Sequence, residues 1–387
     1  MVRVIRKFMI VLFLGVLIPV QISAQEALWG GASITSPEFH DDHRVTFRIQ
    51  APEANSVLLS GDWISENVNL TKDEEGIWTY TTDVMPSNLY TYFFLVDGIR
   101  VNDPSNVHMV RDVASIFNVF IVYDGQGDFY RVNDVPHGTV TRRWYYSTGN
   151  EMDRRITIYT PPGYEAGSDQ YPVLYLMHGM GGDEEAWIAL GRTAQIMDNL
   201  IASGDAVPMI VVMPNGNVSQ QAAPGESALG LYQPSFRLPN TMDGLMEETF
   251  VDIIQFVEEN YRVVPEKESR AIAGLSMGGF HSLHTSRYHA DTFEYVGLFS
   301  PAIMPNENVT SNVYEDIDGT LRQQMEDGYS LYWIGIGETD FLFQQVVDFR
   351  ERLDEIGMTY EYYESEGGHT WKNWREYLTM FVPRLFN

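Results

Sequence analysis

Residues 271–280, Ala-Ile-Ala-Gly274-Leu-Ser276-Met-Gly278-Gly279-Phe280, constrain this chain more than any other stretch. A short apolar run enters Gly-x-Ser-x-Gly-Gly, and the Phe-His-Ser-Leu-His that follows can continue as a helix. That order reads as strand, tight turn and helix, with Ser276 at the apex. Glycines two positions to either side let the chain fold back and let a second molecule approach. A helix starting at Met277 aims its free N–H groups and the positive end of its dipole at charge forming beside Ser276. The plainer reading is a glycine-rich turn that contains a serine by chance, because the pattern alone recurs often. What decides is whether a base and an acid stand in the right places downstream.

Such a turn needs a buried sheet behind it. Tyr171-Pro-Val-Leu-Tyr-Leu-Met177 and Met209-Ile-Val-Val-Met213 are almost unbroken apolar runs, as central parallel strands are. Residues 155–159, 295–299, 332–336 and 360–363 read as further strands, and 194–203, 246–261 and 343–356 as helices. Strands alternating with helices imply a doubly wound α/β sheet, with its site at the carboxyl ends of the strands. This unit is expected over residues 135–387. With 387 residues the chain is too long for one ordinary domain.

The segment ahead of it is different. Val45-Thr-Phe-Arg-Ile alternates apolar and polar residues, and Ser56-Val-Leu-Leu, Ile77-Trp-Thr-Tyr-Thr, Tyr90-Thr-Tyr-Phe-Phe-Leu-Val and Ile99-Arg-Val follow as short strands, with Asp97-Gly98 as a hairpin turn. Residues 27–123 therefore read as an all-β sandwich, and the polar, glycine-bearing 124–134 as a linker. No nucleophile, histidine cluster or metal spacing stands out in the front unit. The second unit, holding every motif, is expected to cleave small esters when produced alone from about Asp128.

Composition narrows the setting. Arg3, Arg6 and Lys7, the apolar run Phe8–Val20 and Ile22-Ser-Ala24 match a secretory signal peptide over residues 1–24, so a secreted or periplasmic location is expected. The run is shorter than the ~20 residues of a crossing helix, and no membrane association is expected once it is removed. There is no cysteine, which removes disulfides and thiolate chemistry. Without the leader, 22 basic residues face 53 acidic ones, a net charge near −31. Such a surface repels nucleic acid and suits neutral substrates.

A serine hydroxyl becomes a nucleophile only when a base takes its proton, and an acid must hold that base in the right tautomer. Downstream of Ser276 stand His281, His284, His289 and His369. The first three sit on or just after the elbow helix, too near to fold back over the serine, and suit packing. His369, in Gly367-Gly368-His369-Thr-Trp371, follows a strand and is the base. For the acid, Gly335-Ile-Gly337-Glu338-Thr-Asp340 offers Asp340 and Glu338; Asp340 alternatively caps the helix that follows. Developing negative charge needs two N–H donors: Met277 N–H, and one from the loop Met177-His178-Gly179-Met180-Gly181-Gly182 after an earlier strand. His178 precedes the serine at a tight turn and suits a structural role. This chemistry calls for no cofactor and no metal.

Taken together, Val135-Pro-His-Gly138, Ile158-Tyr-Thr-Pro-Pro-Gly163-Tyr, Leu176-Met-His-Gly-Met-Gly-Gly182, Gly274-Leu-Ser-Met-Gly-Gly279, Asp340 and Gly368-His-Thr-Trp371 resemble the family-1 carbohydrate esterases of the α/β-hydrolase fold, which include feruloyl and acetyl xylan esterases. The resemblance implies Ser276, Asp340 and His369 as the catalytic set, Asp340 over Glu338, with Met180 and Met277 as backbone donors. The front unit resembles early-set, immunoglobulin-like modules of the family-48 carbohydrate-binding type, through Phe47-x-Ile-x-Ala51-Pro52, Gly61-Asp-Trp63 and Gly76-Ile-Trp78. A buttressing role ranks slightly above sugar binding for it. The function implied is a secreted feruloyl esterase acting on feruloylated plant cell-wall polysaccharide. The alternatives are an acetyl xylan esterase, a siderophore-type esterase, or a glycan-binding protein with an inactive esterase domain. Trp187, Trp371, Trp374, Tyr232 and Phe236 are candidates for an apolar slot holding a planar phenolic acid, with packing the better assignment for Trp374. The long polar segment 216–239 is expected to line the pocket.

Overall fold

The computed structural model describes residues 34–230 and 234–387. The leader expected over residues 1–24 lies outside the described residues. The sheet behind Ser276 has eight strands: β1 Thr139–Ser147, β2 Met152–Thr160, β3 Val173–Met177, β4 Ile210–Pro214, β5 Arg270–Leu275, β6 Tyr295–Phe299, β7 Leu331–Gly337 and β8 Glu361–Ser365. They lie side by side in the order β1-β2-β4-β3-β5-β6-β7-β8. β1, β2 and β4 pair antiparallel, and every pair from β4 onward is parallel.

The unbroken apolar runs are explained by burial on both faces. In β3, Val173, Tyr175 and Met177 point into one core while Leu174 and Leu176 point into the other. The longer helices among the described residues cover the faces: α1 Thr193–Ser203, α2 Phe250–Asn260, α3 Met277–Tyr288, α4 Ile317–Asp327, α5 Phe343–Ile356 and α6 Trp371–Phe381. Phe250, Ile253 and Val257 of α2, Leu321 of α4 and Phe349 and Leu353 of α5 fill the first core. Ile196, Met197 and Leu200 of α1 and Tyr377, Leu378 and Phe381 of α6 fill the second.

The front unit is two packed antiparallel sheets. One joins Glu38–Phe39, Val45–Gln50, Ile77–Thr81 and Thr71–Lys72; the other runs Val68–Asn69, Val57–Gly61, Asn88–Val96, Ser115–Val122 and Met109–Asp112, with Ile99–Val101 paired to Asn88–Val96. Asp97 and Gly98 both have positive φ (48° and 83°) between the paired residues Val96 and Ile99, the backbone of a tight two-residue hairpin. Between the sheets lie Phe47, Tyr92, Phe94 and Phe120.

The segment 124–134 is docked rather than free. Tyr130 is fully buried, Arg192 Nε donates to its carbonyl at 2.8 Å, and Asn199 Nδ2 donates to the carbonyls of Asp128, Phe129 and Arg131. Arg375 of α6 is buried with Nη1 on Leu190 O and Nη2 on Leu89 O, so one guanidinium ties the helix after His369 to the sandwich. Leu89 itself belongs to the second core of the α/β unit.

Candidate active site

Every residue singled out for chemistry stands at the carboxyl end of a strand. Met180 follows β3, Ser276 follows β5, Asp340 follows β7 and His369 follows β8. At Ser276 the backbone is forced into φ 55° and ψ −114°, a conformation costing on the order of 1–3 kcal/mol for a non-glycine residue. Three bonds hold it there. Its N–H donates to Phe299 O at 2.9 Å, and its carbonyl accepts Phe280 N–H at 3.0 Å and Ala302 N–H at 3.1 Å. The turn is tight enough to demand glycine at 278, where a Cβ would run into the Met177 and His178 carbonyls.

The imidazole of His369 is oriented by Asp340, with Nδ1 2.8 Å from Oδ2 and 3.0 Å from Oδ1. Because a carboxylate only accepts, Nδ1 carries the proton and Nε2 is left as the acceptor. The Asp340 side chain is fully buried, and Oδ1 also accepts Leu342 N–H at 2.9 Å. It therefore caps the turn before α5 and aligns the histidine at once. Glu338, on the same loop, is exposed. Phe341 and Trp374 flank the imidazole, with ring centroids 4.4 and 4.9 Å away.

Met277 is the first residue of α3, so its N–H has no acceptor within the helix. Met180 sits in a turn closed by Gly182 N–H on Gly179 O at 3.1 Å. His178 braces this turn: Nδ1 donates to Gly179 O and Nε2 accepts Gly216 N–H, both at 2.8 Å. Burial pushes its pKa down to about 4, so it stays neutral as a strut. Glu184, further along the loop, accepts Ala223 N–H at 2.8 Å, Asn215 Nδ2–H at 3.0 Å and Arg155 Nη1–H at 3.3 Å. Burial, reinforced by Asp183, pushes its carboxyl up to about 7. The elbow-helix histidines pack: His281 is buried 2.8 Å from Glu247 Oε1, and His284 lies between Ile303 O and the Arg287 guanidinium.

Ser276, Met277, Met180 and His369 share one cavity of about 1050 Å³. Trp371, Trp374, Phe341 and Phe236 give it aromatic walls, and segment 216–239 supplies Ala223, Pro224, Glu226, Phe236 and Arg237. Trp374, assigned to packing from sequence, is thus part of the wall. Trp187 is not. It is fully buried one layer behind, with Nε1 donating to Met177 O at 2.9 Å and its ring edge-on to Trp371 at 5.3 Å. The short helix Ala186–Ala189 turns its indole toward the sheet, which corrects the expectation that Trp187 faces a ligand. Tyr232 lies outside the described residues.

Three wall residues come from the front unit, where sequence showed no candidate. The hairpin Met109–Asp112/Ser115–Val122 brings Arg111, Asp112 and Val113 into the catalytic cavity. Arg111 donates to the buried Asp183 Oδ2 at 2.5 Å, pinning the hairpin to the Met180 loop. Val113 sits at φ 50°, strained for a β-branched residue. Neither central residue of the turn, Val113 or Ala114, is Gly, Asn or Asp, so the sequence lacks the usual two-residue hairpin signal.

Comparison with known proteins adds the following. The family model described as "Putative esterase" matches residues 147–385. The chain is similar to the endo-1,4-beta-xylanase/feruloyl esterase of Xylanibacter ruminicola, 29% identical over 360 residues, covering 90% of this chain and 46% of that protein. The chain thus spans about half the length of that relative. Among solved structures, it is similar to a CE1 ferulic acid esterase of Anaeromyces mucronatus in complex with ferulic acid, with TM-score 0.53 and 25% identity over 67% of this chain and 95% of that one. The enterobactin esterase of Shigella flexneri is alike in fold, with TM-score 0.63 and 14% identity over 92% of this chain and 97% of that one.

Proposed function

The chain belongs to the esterase family whose model covers residues 147–385, and from that membership we propose that it is a serine carboxylesterase releasing a hydroxycinnamic acid, ferulate first, from plant cell-wall polysaccharide. Ser276 Oγ attacks the ester carbonyl as His369 Nε2 takes its proton, and Asp340 stabilises the imidazolium that forms. The N–H groups of Met277 and Met180 receive the negative charge on the carbonyl oxygen. Collapse expels the alcohol, protonated by His369, and leaves an acyl-enzyme that water hydrolyses by the same steps reversed. A secreted or periplasmic location, where such polysaccharide is met, is part of this proposal and rests on the leader expected from the sequence of residues 1–24.

The observation that carries ferulate over acetate is the aromatic cavity of about 1050 Å³ at Ser276. An acetyl group would fill little of it, whereas a planar phenolic acid can lie between aromatic walls. The relative named for feruloyl esterase activity and the ferulic acid complex support the same choice. Methyl ferulate, acetylated xylan and a catecholate siderophore, compared by kcat/KM, test it. Ferulate should lead by at least an order of magnitude, and an enzyme faster on acetylated xylan would overturn the assignment.

A further inference from the structure

The Met180 N–H can stabilise a forming oxyanion only if its peptide plane is already aimed when the substrate arrives, because such donors act by not having to reorganise. Its own backbone supplies little stiffness. The turn reads Gly179-Met180-Gly181-Gly182, three glycines in four residues. What aims Met180 must therefore come from the groups packed around the turn.

Part of that hold is local to the α/β unit. His178 Nδ1 donates to Gly179 O, and Asn217 Nδ2 donates to Gly182 O at 2.8 Å. Another part crosses from the front unit, at Gly181 and Asp183. A Cβ placed on Gly181 would stand 2.8 Å from Val113 Cγ2 and 3.2 Å from Phe236 Cα, so the Val113 side chain closes directly over that residue. Two residues on, Arg111 Nη2 donates to Asp183 Oδ2 while Nη1 donates to Val113 O at 3.0 Å. One guanidinium thus fastens the hairpin tip to the loop that carries the turn. The Asp183 side chain is only 3% exposed, and its other oxygen, Oδ1, accepts Glu185 N–H at 3.1 Å. Removing the cation alone leaves that carboxylate buried and uncompensated, which frees it to move. Val113 is held at φ 50° at this same contact, and strain of that kind persists only where the surroundings enforce it.

We infer that the front unit completes the oxyanion hole indirectly: Arg111 through Asp183, and Val113 through Gly181, are positioning residues that keep the Met180 N–H aimed at the carbonyl oxygen of the ester under attack. The inference rests on the serine esterase reading above. It gives the front unit a part in rate, on any ester, through a turn it does not itself contain.

The test uses the full chain and a small ester, methyl ferulate, so that no polysaccharide contact enters. Deleting an oxyanion donor costs about a hundredfold to a thousandfold in kcat, and loosening one should cost less. Arg111→Ala should lower kcat by roughly tenfold to a hundredfold while KM stays within about twofold. Binding of a phenylboronic acid, whose tetrahedral adduct on Ser276 places an oxygen in the hole, should weaken by a similar factor. Binding of coniferyl alcohol, which keeps the aromatic ring without a carbonyl, should not change. Arg111→Lys, which keeps a charge for Asp183, should recover part of the loss, and in an Asp183→Asn background Arg111→Ala should add little. Val113→Ala, which trims the contact on Gly181 and eases the strained angle, should lower kcat severalfold, and it decides the matter should Arg111→Ala fail to fold. Arg111→Ala and Val113→Ala with kcat within about twofold of wild type overturn the positioning role, as does a loss that falls equally on the boronic acid and on coniferyl alcohol. Either result leaves the esterase reading standing. A wild type inactive on methyl ferulate overturns the esterase reading and this inference with it.

Discussion

In the proposed mechanism His369 can act as the base only because Asp340 fixes which of its nitrogens bears the proton. In Asp340→Asn the amide can donate to Nδ1, which favours the tautomer with its proton on Nε2 and leaves no acceptor for the Ser276 hydroxyl. Activity on methyl ferulate should fall about 10⁴-fold, as it does when such an acid is neutralised. Glu338→Gln should stay near wild type, since that side chain faces solvent. Comparable losses in the two variants would reassign the acid. Position alone leaves this choice open, because both carboxylates lie within three residues of the end of β7, and only the family resemblance favours Asp340 in the sequence. Only the path of the loop, with Asp340 folded inward and also capping Leu342 N–H, separates them. Trp187 shows the opposite failure. An aromatic residue near a motif reads alike whether it faces a ligand or, as here, the back of the wall.

The loop from Met180 to Glu185 is held by Glu184, whose bonds to Ala223 and Asn215 join it to the chain after β4. The Glu184 carboxyl is raised to about 7 in the folded protein, against about 4.3 in an unfolded chain. A raised folded value means that its contribution is complete below the unfolded value and is lost as pH rises through the folded one. The difference in melting temperature between wild type and Glu184→Gln should therefore shift against wild type between about pH 4.5 and 7, both measured across that range. A difference independent of pH there would mean that Glu184 does not titrate in the fold. At this scale legibility followed burial. β3 to β7 were plain as apolar runs because both faces are covered. β1, an antiparallel edge strand, and α4, with Gly319 and two aspartates, show no such pattern and leave no clear sign in the sequence. The hairpin that reaches the catalytic cavity turns at Val113-Ala114 without a turn residue, so it too leaves no clear sign.

At the scale of the molecule, the division into a working unit and a passive front unit does not describe this fold. Leu89 packs into the second core of the α/β unit, Arg375 bonds its carbonyl, and Arg111 holds Asp183 beside the Met180 turn. A chain beginning near Asp128 should thus melt lower than the full chain, expose apolar surface and lose activity even on methyl ferulate. That reverses the expectation drawn from sequence, where all motifs lay beyond residue 135 and contacts between residues as far apart as 111 and 183 left no trace. A truncated protein with full-length melting temperature and kcat/KM would restore the passive role. The central claim is that Ser276 is the nucleophile of an esterase, and covalent trapping tests it most directly. Wild type treated with a fluorophosphonate and mapped by peptide mass spectrometry should carry one adduct, on Ser276, with hydrolysis abolished in step. Ser276→Ala should stay unlabelled and lose about 10⁴-fold or more in rate. An adduct on another residue, or unimpeded hydrolysis by Ser276→Ala, would contradict the account.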